Sequence, residues 1–200
     1  MIRIVAGELR GRRLAVAPGV RPTTERAREA LFSILGESVR GARVLDAAAG
    51  SGALGFEALS RGAKEIVFVE ADRRTAAVLE ANAVAVRLSD RVRVFVRTVA
   101  SYLLIDRPAG FDVVFFDPPW ADPVLGELDG LWKALSPGGA FVVERGNVGN
   151  PWPGSPVEPA VRRYGTTALH IFRRAESAST EPEGTARSGL ASLPEGLPRA

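Results

Sequence analysis

The chain contains no cysteine, one histidine (His170), one methionine and, among 26 basic residues, only two lysines, Lys64 and Lys133. Without cysteine there is no disulfide, no thiolate nucleophile and no zinc–thiolate centre. A single histidine leaves little room for a histidine-rich metal site, so no metal is expected. No stretch reaches the roughly 18 consecutive apolar residues of a membrane-spanning helix. The opening residues, Met1-Ile2-Arg3-Ile4-Val5-Ala6-Gly7, lack the long apolar segment of a signal peptide. No membrane partner and a cytoplasmic location are the expectation.

What is present is a globular composition, 46% apolar over 200 residues, enough for one domain with a substantial core. The net charge is only +3, yet residues 1–43 hold nine arginines (3, 10, 12, 13, 21, 26, 28, 40, 43) against four glutamates (8, 25, 29, 37). Arginine forks match phosphate geometry and stack on bases, which suits a polyanionic partner. A general preference for arginine over lysine explains the residue type but not the clustering.

Residues 1–16 predict a hairpin of two short strands, Arg3–Ala6 and Arg12–Val16, around Gly7-Glu8-Leu9-Arg10-Gly11. Arg21-Pro22-Thr23-Thr24 leads into a helix over about 25–37, with Thr23 or Thr24 as N-cap and Ala27, Ala30, Leu31, Ile34 and Leu35 as its apolar stripe. Arg26 and Glu29 lie off that stripe, where they either reach a ligand or form a solvated i,i+3 pair. From residue 42 strands and helices alternate. Strands are expected at 43–47, 65–70, 91–96, 111–116 and 140–144; helices run to about 61, over 73–87 behind an Asp72 cap, near 100–105 and near 123–135. Such alternation means a parallel sheet with right-handed crossovers.

A break rich in proline (Pro151, Pro153, Pro156, Pro159) precedes two further strands, 161–164 and 167–173, expected to pair as an antiparallel hairpin. His170, inside the second, reads as an ordinary strand residue. From Glu176 the composition of Ser, Glu, Pro, Gly and Ala predicts a disordered tail. The expected organisation is an N-terminal hairpin and helix over 1–40, an α/β domain over 41–175, and a tail over 176–200.

Gly50-Ser51-Gly52-Ala53-Leu54-Gly55 matches the dinucleotide fingerprint G-x-G-x-x-G after a strand and before a helix, with Glu70 at the end of the next strand. Its physical content is narrower than its label. Glycines admit a ligand to the backbone, and the carboxylate takes a ribose diol, which NAD and S-adenosylmethionine both possess. Asp46, just before the loop, suits a ligand with an ammonium group and would repel a pyrophosphate. No residues resemble a hydride-transfer site. S-adenosylmethionine is therefore favoured over an NAD-linked Rossmann oxidoreductase, and a nucleotide-binding module without catalysis is the remaining rival.

Asp117-Pro118-Pro119-Trp120 follows the apolar strand 111–116, and the prolines end it because neither can donate to a ladder. Ligands in open α/β sheets sit beyond the carboxyl ends of strands. A carboxylate, two carbonyls fixed by proline and an aromatic face can stack on a planar amino-bearing group and accept from its NH2. Such acceptors favour a pyramidal nitrogen whose lone pair faces an electrophile, which is positioning and electrostatics rather than strong-base chemistry. Taken alone, the motif is equally a plain strand-ending loop.

With these residues the chain resembles the RsmD-type methyltransferases, which methylate the N2 amine of one guanine in bacterial small-subunit (16S) rRNA. The resemblance runs from about residue 2 to 173. It rests on Arg3–Gly7, Gly11–Leu14, Arg21-Pro22-Thr23-Thr24 through Phe32, Asp46–Gly55, Phe68–Glu70, Asp117–Trp120 and Tyr164–Thr167. It implies a class I S-adenosylmethionine-dependent methyltransferase fold, a Rossmann-like α/β architecture with a seven-stranded, mostly parallel sheet and an N-terminal extension that binds RNA.

By the same resemblance Asp46, Gly50, Ser51 and Gly52 cradle the methionine part of the cofactor and Glu70 binds its ribose. Ala48, Ala71, Val99 and Asp117 complete the expected contacts, with Thr24, Arg26 and Glu29 helping to close the site. Asp117, Pro118, Pro119 and Trp120 are the expected catalytic residues, Asp117 orienting the amine and Trp120 stacking on a flipped base. Arg10, Arg12, Arg13, Arg21 and Trp120 are the expected RNA contacts. The implied partner is 16S rRNA or a small-subunit assembly intermediate, met by a monomer. Three departures stand out: Ala47-Ala48 replaces a bulkier pair, Trp120 replaces Phe or Tyr, and Val99 lies where an acid often meets adenine. An adenine-N6 or cytosine-N4 methyltransferase acting on DNA or RNA shares the Asp-Pro-Pro-aromatic motif and is the alternative within the same chemistry.

Overall fold

The computed structural model describes residues 1–20, 23–118, 125–146 and 149–176. Its centre is a seven-stranded sheet in the order β5-β4-β3-β6-β7-β9-β8. These strands are β3 (Arg43–Ala47), β4 (Glu65–Glu70), β5 (Val92–Val96), β6 (Phe111–Phe116), β7 (Leu135–Gly146), β8 (Ala160–Tyr164) and β9 (Thr167–Arg173). The first five run parallel, and β9 returns antiparallel to β7 with β8 on its far edge. The chain steps outward from β3 to β5, then crosses back to place β6 on the other side of β3. That reversal is a topological switch point, where open α/β sheets leave a crevice beyond the strand ends.

The central strands β3, β4, β6 and β7 are largely apolar and buried on both faces, as interior parallel strands require, while the edge strand β5 is partly exposed. Helices α2 (Ala53–Ser60) and α3 (Arg73–Ala85) cover one face together with α1 (Glu25–Leu35), joining Leu31, Phe32, Phe56 and Leu79 to Val44, Phe68 and Phe115. Helices α4 (Val99–Ile105) and α5 (Leu125–Ala134) cover the other, where Tyr102, Leu128 and Leu131 meet Leu45, Val114 and Phe141. Among the described residues, no helix is long and apolar enough to cross a membrane.

The N-terminal hairpin is shorter than its sequence suggests: β1 is Ile2–Arg3 and β2 is Arg13–Leu14. The reason is competition for backbone donors. The N–H groups of Val5 and Ala6 turn to the buried Glu57 carboxylate at 2.9 and 3.0 Å, and Ala15 exchanges two hydrogen bonds with the Asn82 side chain. Polar side chains of α2 and α3 thus fasten the hairpin onto the sheet's helical cover, and Ile2, Ile4 and Leu14 join its core. Helix α1 stops at Leu35 and continues as a 3-10 turn over Gly36–Val39. Strand β7 extends beyond 140–144 at both ends, with an irregular register against β6 between Phe111 and Val113. Most of the tail expected over 176–200 lies outside the described residues.

Candidate active site

Residues at the carboxyl ends of β3, β4, β6 and β7 and the loops after them enclose a cavity of about 900 Å³. Four of the strand ends carry an acid. Asp46 lies in β3, Glu70 closes β4, Asp117 follows β6 and Glu144 lies near the end of β7. All four line the cavity with Glu127 of α5, and the only described cation on its wall is Arg97, itself paired with Asp106 at 3.3 Å.

The loop after β3 turns sharply, with positive φ at Ala48 (61°), Gly50 (52°) and Gly52 (69°). Glu70 braces it: one carboxylate oxygen accepts from the Gly50 N–H at 2.8 Å and the other from Asp72 N–H at 2.8 Å. Asp46 accepts from Gly55 N–H at 3.0 Å, in the first turn of α2. The glycines divide their labour. Gly50 lines the cavity, and a Cβ there would approach no closer than 3.5 Å to Val20. A Cβ on Gly52 would fall 2.5 Å from Leu79, and one on Gly55 2.3 Å from Phe68. Gly52 lets the loop pack against α2 and α3, Gly55 lets α2 pack against the sheet, and neither lines the cavity.

Burial raises Asp46 well above the ordinary carboxylate range, with Asp117, Glu70 and Glu144 adding repulsion and the Gly55 hydrogen bond opposing it. Burial, then the neighbouring Glu144, push Asp117 up to about 8, against the pull of Arg145. Glu144 is raised by burial despite a hydrogen bond from Thr23. Desolvated acids crowded together favour a positively charged occupant.

The S-adenosylmethionine site implied by the resemblance meets this donor set well. A sulfonium and an ammonium would offset the buried carboxylates, Gly50 leaves room at the loop, and Glu70 lines the same cavity with its carboxylate fixed by two backbone N–H groups. A pyrophosphate facing the same acids would be repelled, which disfavours NAD.

Of the residues expected from sequence, Asp46, Ala48, Gly50, Ser51, Glu70, Ala71, Val99, Asp117 and Pro118 converge on the cavity, as does Thr24, which also caps α1. Arg26 and Glu29 are exposed on α1 and do not line it. Pro119, Trp120 and Arg21 lie outside the described residues. Arg10, Arg12 and Arg13 are exposed on the hairpin. A smaller cavity of about 410 Å³, lined by Arg3, Arg13 and Arg28, meets the first at Thr23 and Thr24.

Sequence reasoning missed Thr23, Glu144, Thr166 and Thr167, all on the cavity wall. Glu144 shares with Asp46, Glu70 and Asp117 the signal of an acid at the end of an apolar strand.

A family model described as Conserved hypothetical protein 95 matches residues 2–173. Ribosomal RNA small subunit methyltransferase D of Escherichia coli strain K12 is 34% identical over 192 residues, covering 91% of this chain and 94% of that protein. The protein of the same name from Haemophilus influenzae is 42% identical over 124 residues, 60% of this chain and 64% of that one. The solved structure of Escherichia coli yhhF has a TM-score of 0.77 at 35% identity, covering 88% of this chain and 99% of that one. The chain belongs to this family, the RsmD-type S-adenosylmethionine-dependent methyltransferases.

Proposed function

We propose that the protein transfers a methyl group from S-adenosylmethionine to the exocyclic N2 amine of a guanine in small-subunit 16S rRNA. It acts in the cytoplasm, as a monomer, on the rRNA or a small-subunit assembly intermediate. The observation that carries this reading is Asp117 beside the turn of Gly50 on one cavity wall: an amine acceptor and a cofactor loop at adjacent strand ends, β6 and β3. The relatives named for the small-subunit rRNA supply the substrate.

The bound cofactor supplies the electrophilic methyl group. Asp46, Gly50 and Ser51 hold its amino-acid end and Glu70 its ribose, and Thr98 and Val99 border the adenine. Asp117 and the Pro118 carbonyl accept from the two N–H groups of the amine, aiming its lone pair. Trp120 stacks on the flipped base, and one aromatic stack is worth roughly 1–3 kcal/mol against the cost of unstacking. The exposed arginines of the hairpin track the backbone, and Arg13, with Arg3 (itself paired with Glu25), borders the smaller cavity that meets the first at Thr23 and Thr24, suited to a phosphate flanking the flipped base.

The test is to map modified nucleotides in 16S rRNA by primer extension and mass spectrometry, with and without the protein. N2-methylguanine at one position, present only with the protein, is expected. A methylated adenine or cytosine, or no methylation, overturns the reading.

A further inference from the structure

The described strand ends contain one acid that the reaction as drawn does not use. Glu144 is 6% exposed and lines the same cavity as Asp117. Phe116 and Val143 are registered partners on neighbouring parallel strands, so the residues that follow them, Asp117 and Glu144, stand side by side. Parallel neighbours in register are about 5 Å apart and share a face of the sheet. One Glu144 oxygen, Oε2, accepts from the Thr23 hydroxyl at 3.0 Å.

Other charged groups come from several elements. Asp46 of β3, Glu70 of β4 and Glu127 of α5 share the cavity, and Arg97 stands on its far wall, paired with Asp106. Arg145 exerts the one cationic pull on Asp117. His170 of β9 pairs with Val143 and therefore lies on the opposite face from Glu144.

We infer that Glu144 is the second half of a carboxylate pair with Asp117, and that this pair takes the proton shed by the guanine amine. The inference rests on the guanine-N2 reading and adds to it the fate of the proton. As N2 bonds to the methyl carbon, the carbon–sulfur bond breaks and its electron pair stays on sulfur. The positive charge moves to N2, which must lose one N–H proton to become a neutral secondary amine. Before transfer, the cationic cofactor keeps Asp117 ionised. Once the charge has left sulfur, two buried carboxylates face each other without that offset, and Asp117 takes the proton. It passes to solvent when the products leave. Glu144 acts through Asp117 and is a positioning residue: its charge makes Asp117 a better proton acceptor at the moment one is needed.

The test compares Glu144→Gln, Glu144→Asp and Thr23→Val with the unaltered protein in two measurements. In infrared titration of the cofactor-free protein, the Asp117 carboxyl band should lose its proton at lower pH in Glu144→Gln. The midpoint should rise in Thr23→Val, because the dianion loses its donor, and stay near the original in Glu144→Asp. In single-turnover methylation of 16S rRNA, Glu144→Gln should be slower by roughly 10²-fold, with cofactor affinity within about threefold and the pH midpoint lowered, while Glu144→Asp recovers most of the rate. Unmoved midpoints with normal turnover in Glu144→Gln overturn the pair while leaving the methyltransferase reading intact. A Glu144→Gln midpoint that stays put while turnover falls also overturns it, because Glu144 then acts only as scaffold. If the unaltered protein makes no N2-methylguanine, the functional reading fails, and the titration still reports whether the two acids are paired.

Discussion

The Thr23 hydroxyl donates to Glu144 Oε2 at 3.0 Å, joining residues 121 positions apart in the chain. It fastens the segment before α1 to the far end of β7, directly over the cavity that both residues line. The N-terminal extension and the end of the sheet therefore share one wall.

Proton linkage follows from the acids beneath that wall. Asp46, Asp117 and Glu144 all bind protons more tightly in the folded protein than their ordinary values. Between the ordinary carboxylate range and about 8, the value for Asp117, the folded state holds more protons than the unfolded one. Stability must then fall as pH rises through that window. The cofactor-free protein should melt at a higher temperature at pH 5.5 than at pH 9, on the order of several degrees apart. S-adenosylmethionine should flatten the decline, since a cation favours the ionised acids. S-adenosylhomocysteine, without the sulfonium charge, should flatten it less. Thermal melts over pH with each ligand decide this, and a melting temperature rising from pH 5.5 to 9 without ligand would contradict it.

Asp117→Ala removes the acceptor for the amine and leaves the loop of Gly50 intact. Methyl transfer should fall by about 10²–10³-fold, the scale of removing one preorganised group that stabilises the transition state. Cofactor affinity should hold or weaken only modestly, because the loop of Gly50 remains while one of several acids that favour the cation has gone. Tritiated methyl transfer and calorimetric binding separate the two effects, and an active variant would remove Asp117 from the chemistry.

The sheet and most of the cavity are legible in the sequence because both depend on local pattern. Apolar runs ending in an acid locate Asp46, Glu70 and Asp117, and strand–helix alternation locates the switch point beside them. What stays hidden depends on pairings between distant parts of the chain. The hairpin's short strands are set by Glu57 and Asn82, which lie 51 to 67 residues from the donors they take. Glu144 carries the same signal of an acid late in an apolar strand, but no motif surrounds it to mark it as part of a site, and its partner Thr23 looks like a helix cap. The glycine fingerprint reads as a ligand loop throughout, although only side-chain packing tells that Gly52 and Gly55 serve the core.

Glu57 tests how firmly the hairpin is held. Its buried carboxylate accepts from Val5 and Ala6 N–H and pairs with Arg61 at 2.9 Å. Glu57→Ala leaves two backbone donors without their acceptor, each costing roughly 1–3 kcal/mol. Amide exchange at Val5 and Ala6 should accelerate, and denaturant melts should show a loss of a few kcal/mol. Exchange unchanged at both amides would mean that the ladder, not Glu57, holds this segment.

The two ends of the glycine loop should fail differently. Gly55→Ala drives a Cβ to 2.3 Å from Phe68 Cε1, an overpacking that costs about 1–3 kcal/mol, so stability should fall while cofactor affinity stays within a few-fold. Gly50→Ala makes only ordinary contacts, with Val20 at 3.5 Å, but holds φ +52°, at roughly 1–2 kcal/mol of strain, and puts a methyl on the cavity wall. Its cofactor affinity should weaken at least about tenfold, the equivalent of 1.4 kcal/mol. Paired thermal melts and calorimetric titrations would expose the opposite pattern, which would place Gly55 rather than Gly50 against the ligand.

Arg12 and Arg13 are exposed on the hairpin, and Arg13 also lines the smaller cavity beside Thr23. Removing one arginine–phosphate pairing flattens the dependence of log affinity on log salt by about one unit. Arg12→Glu combined with Arg13→Glu should weaken binding to 16S rRNA fragments and reduce that slope by about two, if both residues meet phosphate. The core should be untouched, because both side chains point to solvent and neither takes part in the bonds that fasten the hairpin. Affinity measured at several salt concentrations against an unchanged melting temperature separates this from misfolding. A double variant with native affinity and native slope would move the RNA path off the hairpin altogether.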